Sequence, residues 1–190
     1  MRSISEAVYN QKKYNIMNAE KIKSLVRNVP DFPNEGIMFK DLTTVFVRHD
    51  CLQWMDDELF NYYKDKGITK IIGIESRGFI MAPSLAIRLG AGFVPIRKKG
   101  KLPAKCREVT YTKEYGKDTI QIHYDALNEN DVVLIHDDLL ATGGTMAAAV
   151  ELARKFNVKK IYVNFIAELD NLKGREKFAD DIEVHSLVHF

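Results

Sequence analysis

Asp137 and Asp138 stand side by side, and after Leu139, Leu140 and Ala141 come Thr142, Gly143, Gly144 and Thr145, which open an alanine-rich stretch. Two glycines let backbone N–H groups approach a ligand closely, two hydroxyls donate, and a helix starting there adds its unpaired amides. Those are the parts of an anion cradle, and a phosphate fits it. The spacing is not that of a Walker A loop, since no lysine follows the glycines, and it is not GxGxxG. Two acids repel a bare polyphosphate, whereas sugar hydroxyls need acceptors. Acids for a diol beside amides for a phosphate describe a ribose-phosphate site. Taken alone, TGGT reads first as a turn, with Asp138 or Thr145 as an N-cap.

Cationic chemistry is available at two other places. Ser76-Arg77 follows the apolar run Lys70 to Ile74, and RKKGKLPAKCR, residues 97 to 107, carries six positive charges and no acid. Gly100 and Pro103 discourage regular structure there, so a mobile basic loop is expected. Guanidinium and ammonium groups stabilise phosphate oxygens as charge develops on a departing pyrophosphate. By itself the stretch reads equally well as a solvated basic loop. The five histidines, His49, His123, His136, His185 and His189, form no cluster. His185 and His189 share one face of a strand but stand too far apart to chelate, so no protein-bound metal site is expected.

The elements that must position these groups alternate between strand and helix. Val132 to Ile135 has the β-branched content of a strand buried on both faces, and Met146, Ala149, Val150 and Ala153 recur at helical spacing, with Asp137 to Thr145 as the loop between. Upstream, a helix over Ala19 to Asn28 is stopped by Pro30 and Pro33, and GIMFKDLTT (36 to 44) shows no clear period. Leu52, Met55, Leu59 and Tyr63 mark a helix over 51 to 65, stopped by Gly67. Lys70 to Ile74 is a strand, Pro83 suits the first turn of a helix ending at Gly90, and Phe93 to Ile96 is the next strand. Glu108 to Tyr115 and Thr119 to Tyr124 alternate about Gly116-Lys117-Asp118 as a hairpin, with Val109 and Tyr111 facing Ile120 and Ile122. Ile161 to Ala167 and Ile182 to Val188 are further strands. The expectation is an α/β fold: an open, mainly parallel twisted sheet of four to five strands flanked by helices, with a small hood and a basic loop and hairpin excursion. Ligands in such sheets sit beyond the carboxyl ends of the strands.

Composition sets the remaining bounds. The 190 residues are 46% hydrophobic and 28% charged, with a net charge of +2, which argues against nucleic acid or an anionic membrane as the main partner. Cys51 and Cys106 lack CxxC or zinc spacing and fit free thiols in a reducing cytosol. No apolar run reaches the ~18 residues of a membrane span, so a cytoplasmic protein is expected. Residues 1 to 18 read as an N-terminal extension and 19 to 190 as one domain, with a hood over 28 to 45 and the flexible basic loop and hairpin over 97 to 124.

FPNEGIMFKD, ESRGF, IRKKGKLP, EYGKD, DDLLATGGTM and LKGREK occur in this order and cover nearly the whole chain, from about Ile22 to Leu187. In both wording and order they resemble the type I phosphoribosyltransferases, and among these the members that take adenine. The resemblance implies transfer of a phosphoribosyl group from phosphoribosyl pyrophosphate to adenine, giving AMP and pyrophosphate, with magnesium carried on the pyrophosphate and a homodimer as the assembly. It assigns Ala141, Thr142, Gly143, Gly144 and Thr145 to the ribose phosphate, and Asp137 and Asp138 to the ribose hydroxyls. Arg77, Arg97, Lys98 and Lys101 fall to the pyrophosphate end. Met38 and Lys40 meet adenine through their backbone, with Phe39 on one face of the base and Leu139 on the other. Glu114, beside Tyr115, would otherwise be an exposed strand carboxylate, and the resemblance makes it the group that exchanges a proton with the base. Glu75 and Lys40 stand where some relatives carry Asp and Arg, and His136 replaces a commoner apolar residue.

Two alternatives have sequence tests. Enzymes for 6-oxopurines carry a lysine on the strand after the signature helix, and Ile161 to Ala167 has none. Non-catalytic regulators that sense phosphoribosyl pyrophosphate usually add a DNA-binding domain, for which 18 residues are too few.

Overall fold

The Asn18 side chain accepts from the Lys21 amide at 2.8 Å and starts helix α1, Ala19–Leu25. This computed structural model describes residues 17–113 and 116–190, so most of the expected N-terminal extension lies outside the described residues. The chain divides into two compact units, Met1–Glu58 and Leu59–Phe190. No described helix is long and apolar enough to cross a membrane.

In the first unit, α1 stops three residues short of Asn28, because β1 (Arg27–Val29) pairs antiparallel with β2 (Phe39–Asp41). Arg27 closes that ladder onto Asp41 at 2.6 Å. The Thr43 hydroxyl and amide also donate to Asp41, and these bonds with Arg27 hold its carboxyl down at about 2. GIMFKDLTT therefore resolves into β2 and a single-turn helix α2, Thr43–Phe46, pieces too short to show a period. Helix α3, His49–Tyr63, within which the division between the units falls, buries Cys51, Met55, Leu59 and Tyr63, every fourth residue. Leu52, expected in that stripe, is only half-buried.

In the second unit, β3 (Lys70–Ile74), β4 (Gly92–Lys98), β5 (Cys106–Lys113), β6 (Gly116–His123), β7 (Val132–Leu140), β8 (Lys160–Glu168) and β9 (Glu183–His189) form one sheet in the order β5-β6-β4-β3-β7-β8-β9. Strands β4, β3, β7, β8 and β9 run parallel, which fills the upper end of the expected four to five. The hairpin β5–β6 is less of an excursion than its sequence suggests, since β6 joins β4 antiparallel through Arg97↔Gln121 and Lys98↔Ile120. The turn expected at Gly116-Lys117-Asp118 is strand instead. Gly116, Lys117 and Asp118 belong to β6, opposite Lys113, Thr112 and Tyr111.

The sheet is buried on both faces, with Ile71, Leu134 and Ile166 wholly buried on one and the largest apolar cluster on the other. Helix α5 (Gly144–Arg154) packs Met146, Ala149, Val150, Leu152 and Ala153 into a cluster with Ile72, Ile74, Val133, Ile135, Val163 and Phe165. Helix α4 (Ala82–Leu89) starts with Pro in its first turn and ends at Gly90 in the left-handed region, as its sequence predicts.

Candidate active site

Strand β7 does not stop at Ile135. Its ladder with β8 continues through Asp137↔Phe165 and Leu139↔Ala167 to Leu140↔Glu168, so both acids sit on a strand and not in a loop. That correction matters for their chemistry, because a ladder fixes which face each carboxyl takes. Asp138 is buried on the same face as His136, and Asp137 points to the other.

Only Ala141, Thr142 and Gly143 separate β7 from α5. Gly143 has φ 77 and is the N-cap, so no side chain accepts from the first amides of α5. Those amides, the Thr142 and Thr145 hydroxyls and the positive end of the helix are left for an anion. Thr145 is also tied to the hairpin, its hydroxyl 3.0 Å from the Tyr111 hydroxyl. Sequence reasoning treated Tyr111 only as a strand residue.

Strand β3 lies beside β7, and the turn after it, Arg77–Phe79, packs on the acid pair. A Cβ on Gly78 would lie 2.7 Å from the His136 carbonyl and 3.2 Å from Asp137 Oδ1. Arg77 Nη1 reaches Asp138 Oδ2 at 2.9 Å. Burial pushes the Asp138 carboxyl upward against the pull of Arg77. Asp137 is raised well above the carboxylate range, by burial first and by the Asp138 charge second.

The basic segment is not merely solvated. Glu75, directly before the cis Glu75–Ser76 peptide, accepts from the Lys98 amide at 3.0 Å and pairs with Arg97 and Lys101, each at 3.3 Å. Burial raises its carboxyl, but the Lys98 amide and the two cations prevail and hold it below the usual range. Lys98 Nζ stands 4.0 Å from Asp118, and Lys99 pairs with Glu108 at 3.0 Å. Glu75 was singled out by sequence only as a motif residue, not as the anchor of these cations.

The remaining expected residues divide cleanly. Met38, Phe39 and Lys40 belong to the first unit, where Phe39 packs edge-on to Phe32 with centroids 5.0 Å apart and Lys40 Nζ donates to Asn28 at 2.7 Å. Leu139 is half-buried on β7. Glu114 and Tyr115 lie outside the described residues. His136 is wholly buried, its Nδ1 donating to Asn164 Oδ1 at 2.7 Å, and burial lowers its imidazole to about 4 despite that bond. It is a neutral core histidine at neutral pH. Among the described residues one group has metal-ligand spacing, Glu168, Asp170 and His189, but Arg175 and the Ser186 hydroxyl already occupy Glu168.

The acid pair makes a stability prediction. Because the folded state raises Asp137, folding takes up a proton between the unfolded value of ~3.9 and the higher folded one. Stability therefore falls as pH rises through that window, and the penalty is complete above it. Asp137→Asn keeps the oxygen that accepts from the Asp138 amide but removes the charge. It should raise Tm at pH 7.5 by about 2–4 °C for each kcal/mol released, and the gain should vanish near pH 4. Thermal melts at the two pH values check this.

The phosphoribosyl transferase domain family matches residues 50–188. The adenine phosphoribosyltransferase of Bacteroides thetaiotaomicron is 61% identical over 173 residues, covering 91% of this chain and 98% of that protein. Among solved structures, the Giardia lamblia enzyme complexed with 9-deazaadenine superposes with a TM-score of 0.86 at 42% identity, over 92% of this chain and 98% of that one. The adenine phosphoribosyl transferase of Trypanosoma brucei, in complex with AMP, pyrophosphate and ribose-5-phosphate, gives 0.82 at 28% identity over 90% and 78%. The chain belongs to the phosphoribosyl transferase family, and within it to the adenine phosphoribosyltransferases.

Proposed function

We propose that this protein transfers the 5-phosphoribosyl group from phosphoribosyl pyrophosphate to adenine, releasing AMP and pyrophosphate as a purine salvage step. The observation that carries the reading is the Arg77–Asp138 pair at the carboxyl edge of the parallel sheet, three residues from the start of the open-ended helix cradle. Ala141 to Thr145 take the ribose phosphate, and Asp137 and Asp138 accept from the ribose hydroxyls. Arg77, Arg97, Lys98 and Lys101 take the charge that develops on the leaving pyrophosphate. Met38 and Lys40 recognise adenine through their backbone, Phe39 and Leu139 contact the faces of the base, Tyr115 lines the site, and Glu114 exchanges the proton. Magnesium enters on the pyrophosphate substrate. This agrees with acids that are already engaged by Arg77 and by backbone amides. The protein works as a homodimer, as the resemblance implies, and in the cytoplasm, a compartment that suits two free cysteines.

The base preference has a structural argument. Lys160, outside the expected strand, opens β8 at the end away from the ligand edge, where its Nζ donates to the Asp181 carbonyl at 2.8 Å. No lysine is then placed on β8 to meet a 6-oxo group. Assaying nucleotide formation with a panel of purine bases should give AMP readily from adenine, with hypoxanthine and guanine slower by roughly 10²-fold or more. Comparable rates with hypoxanthine would overturn the specificity.

A further inference from the structure

The LKGREK motif, residues 172 to 177, has no role in the chemistry above, yet it lies directly against the phosphate cradle. A Cβ on Gly174 would come 2.3 Å from the Ala141 carbonyl oxygen and 2.7 Å from Leu140 Cδ1, both too close to exist. In return, a Cβ on Gly143 would come 2.6 Å from the Gly174 carbonyl oxygen. The two glycines thus meet backbone to backbone beneath the left-handed turn that starts α5.

Arg175 fastens this contact. Its Nε donates to both oxygens of Glu168, at 2.6 and 2.8 Å, and its Nη1 to the Val184 carbonyl at 2.9 Å. Glu168 ends β8, is buried, and also accepts from the Ser186 hydroxyl of β9 at 2.7 Å. One guanidinium therefore locks two strand ends to the turn that carries Gly174. The Leu169 amide, donating to the Leu140 carbonyl at 2.9 Å, closes the same segment onto the end of β7. Asp170 and His189 lie at the outer edge of this cluster, 2.8 Å apart.

We infer that Arg175 is a positioning residue for the ribose phosphate, acting through Gly174 to hold the Ala141–Gly143 turn so that the first amides of α5 converge on one point. The inference rests on the assignment of residues 141 to 145 to the phosphate. Arg175 itself is engaged by Glu168 and the Val184 carbonyl. The backbone amides of the cradle cannot re-aim as its threonine side chains can, so their geometry depends on what lies beneath them, and a displacement of about 1 Å costs on the order of 10²-fold. Lysine keeps the charge at 175 but lacks the planar fork that bridges Glu168 and Val184 at once.

The test measures binding of ribose 5-phosphate by calorimetry to the full chain, with thermal melts giving the folded fraction. Arg175→Lys should weaken ribose 5-phosphate about tenfold and Gly174→Ala on the order of 10²-fold, per folded molecule, with the KM for adenine within about twofold of the parent. Thr142→Val serves as the control on the cradle itself. If Thr142→Val weakens binding while folded Arg175→Lys does not, the positioning role is overturned and the phosphate assignment stands. If neither variant changes the affinity, the phosphate assignment fails and the inference fails with it. A drop in Tm with unchanged affinity for ribose 5-phosphate in both Arg175→Lys and Gly174→Ala would make the segment merely structural. Should Gly174→Ala fail to fold, Arg175→Lys decides alone.

Discussion

Glu114→Ala is expected to lower turnover by roughly 10²–10⁴-fold at saturating substrates, with the KM for adenine altered much less. Bond breaking at the anomeric carbon leaves an oxocarbenium-like sugar, and the ring nitrogens of the base must exchange a proton as the new bond forms. A carboxyl over the base can carry that proton. Tyr111, three residues earlier on β5, hydrogen-bonds Thr145 at the start of α5, so the strand leading to Glu114 reaches the cradle. Glu114→Gln separates the roles, because it keeps the shape and a hydrogen bond while removing the titrating group. If the side chain only decorates the hairpin, its loss changes stability by no more than about 0.5 kcal/mol and leaves turnover alone. A folded Glu114→Ala protein with near-parental turnover would shift catalysis to charge stabilisation by Arg77 and the basic segment.

Arg77→Ala should cost roughly 10²–10³-fold in kcat/KM if, as proposed, Arg77 is a preorganised cation for the leaving pyrophosphate. It also strands Asp138, whose buried carboxyl loses its counter-charge, so Tm should fall as well. The two effects separate in a double variant. Arg77→Ala combined with Asp138→Asn removes both charges and should recover most of the lost Tm while turnover stays low. Recovery of turnover together with Tm would mean that Arg77 serves only to neutralise Asp138, and its role toward pyrophosphate would be abandoned.

Local signals carried the order of elements and the placement of the cradle. Pro83 and Gly90 bound α4 as read, and the glycines at 143 and 144 lie at the start of a helix. What sequence could not supply were facts decided across the sheet. Asp137 and Asp138 look like loop residues because acids are rare in strands, yet the pairs Asp137↔Phe165 and Leu139↔Ala167 carry the strand past them. Gly116-Lys117-Asp118 has turn composition, but its register with β5 makes it strand. The cations of 97 to 107 read as solvated because their partners, Glu75, Glu108 and Asp118, belong to other segments. His136 bonds a residue 28 positions away, which no periodicity reveals.

Glu75 gives the cationic end an internal rival. Its carboxylate already holds Arg97 and Lys101 and is kept ionised well into mild acid. Being tethered, it acts at the high effective concentration of a linked group, which for a short connection reaches the millimolar range. A monovalent anion at ordinary concentration meets a competitor of equal charge that never diffuses away. A multiply charged group, anchored elsewhere on the protein through its sugar and its second phosphate, carries a tether of its own and can displace the carboxylate. On the proposed assignment of Arg97 and Lys101 to the pyrophosphate, the clasp would favour anions by valence and linkage over the simple salts of its surroundings.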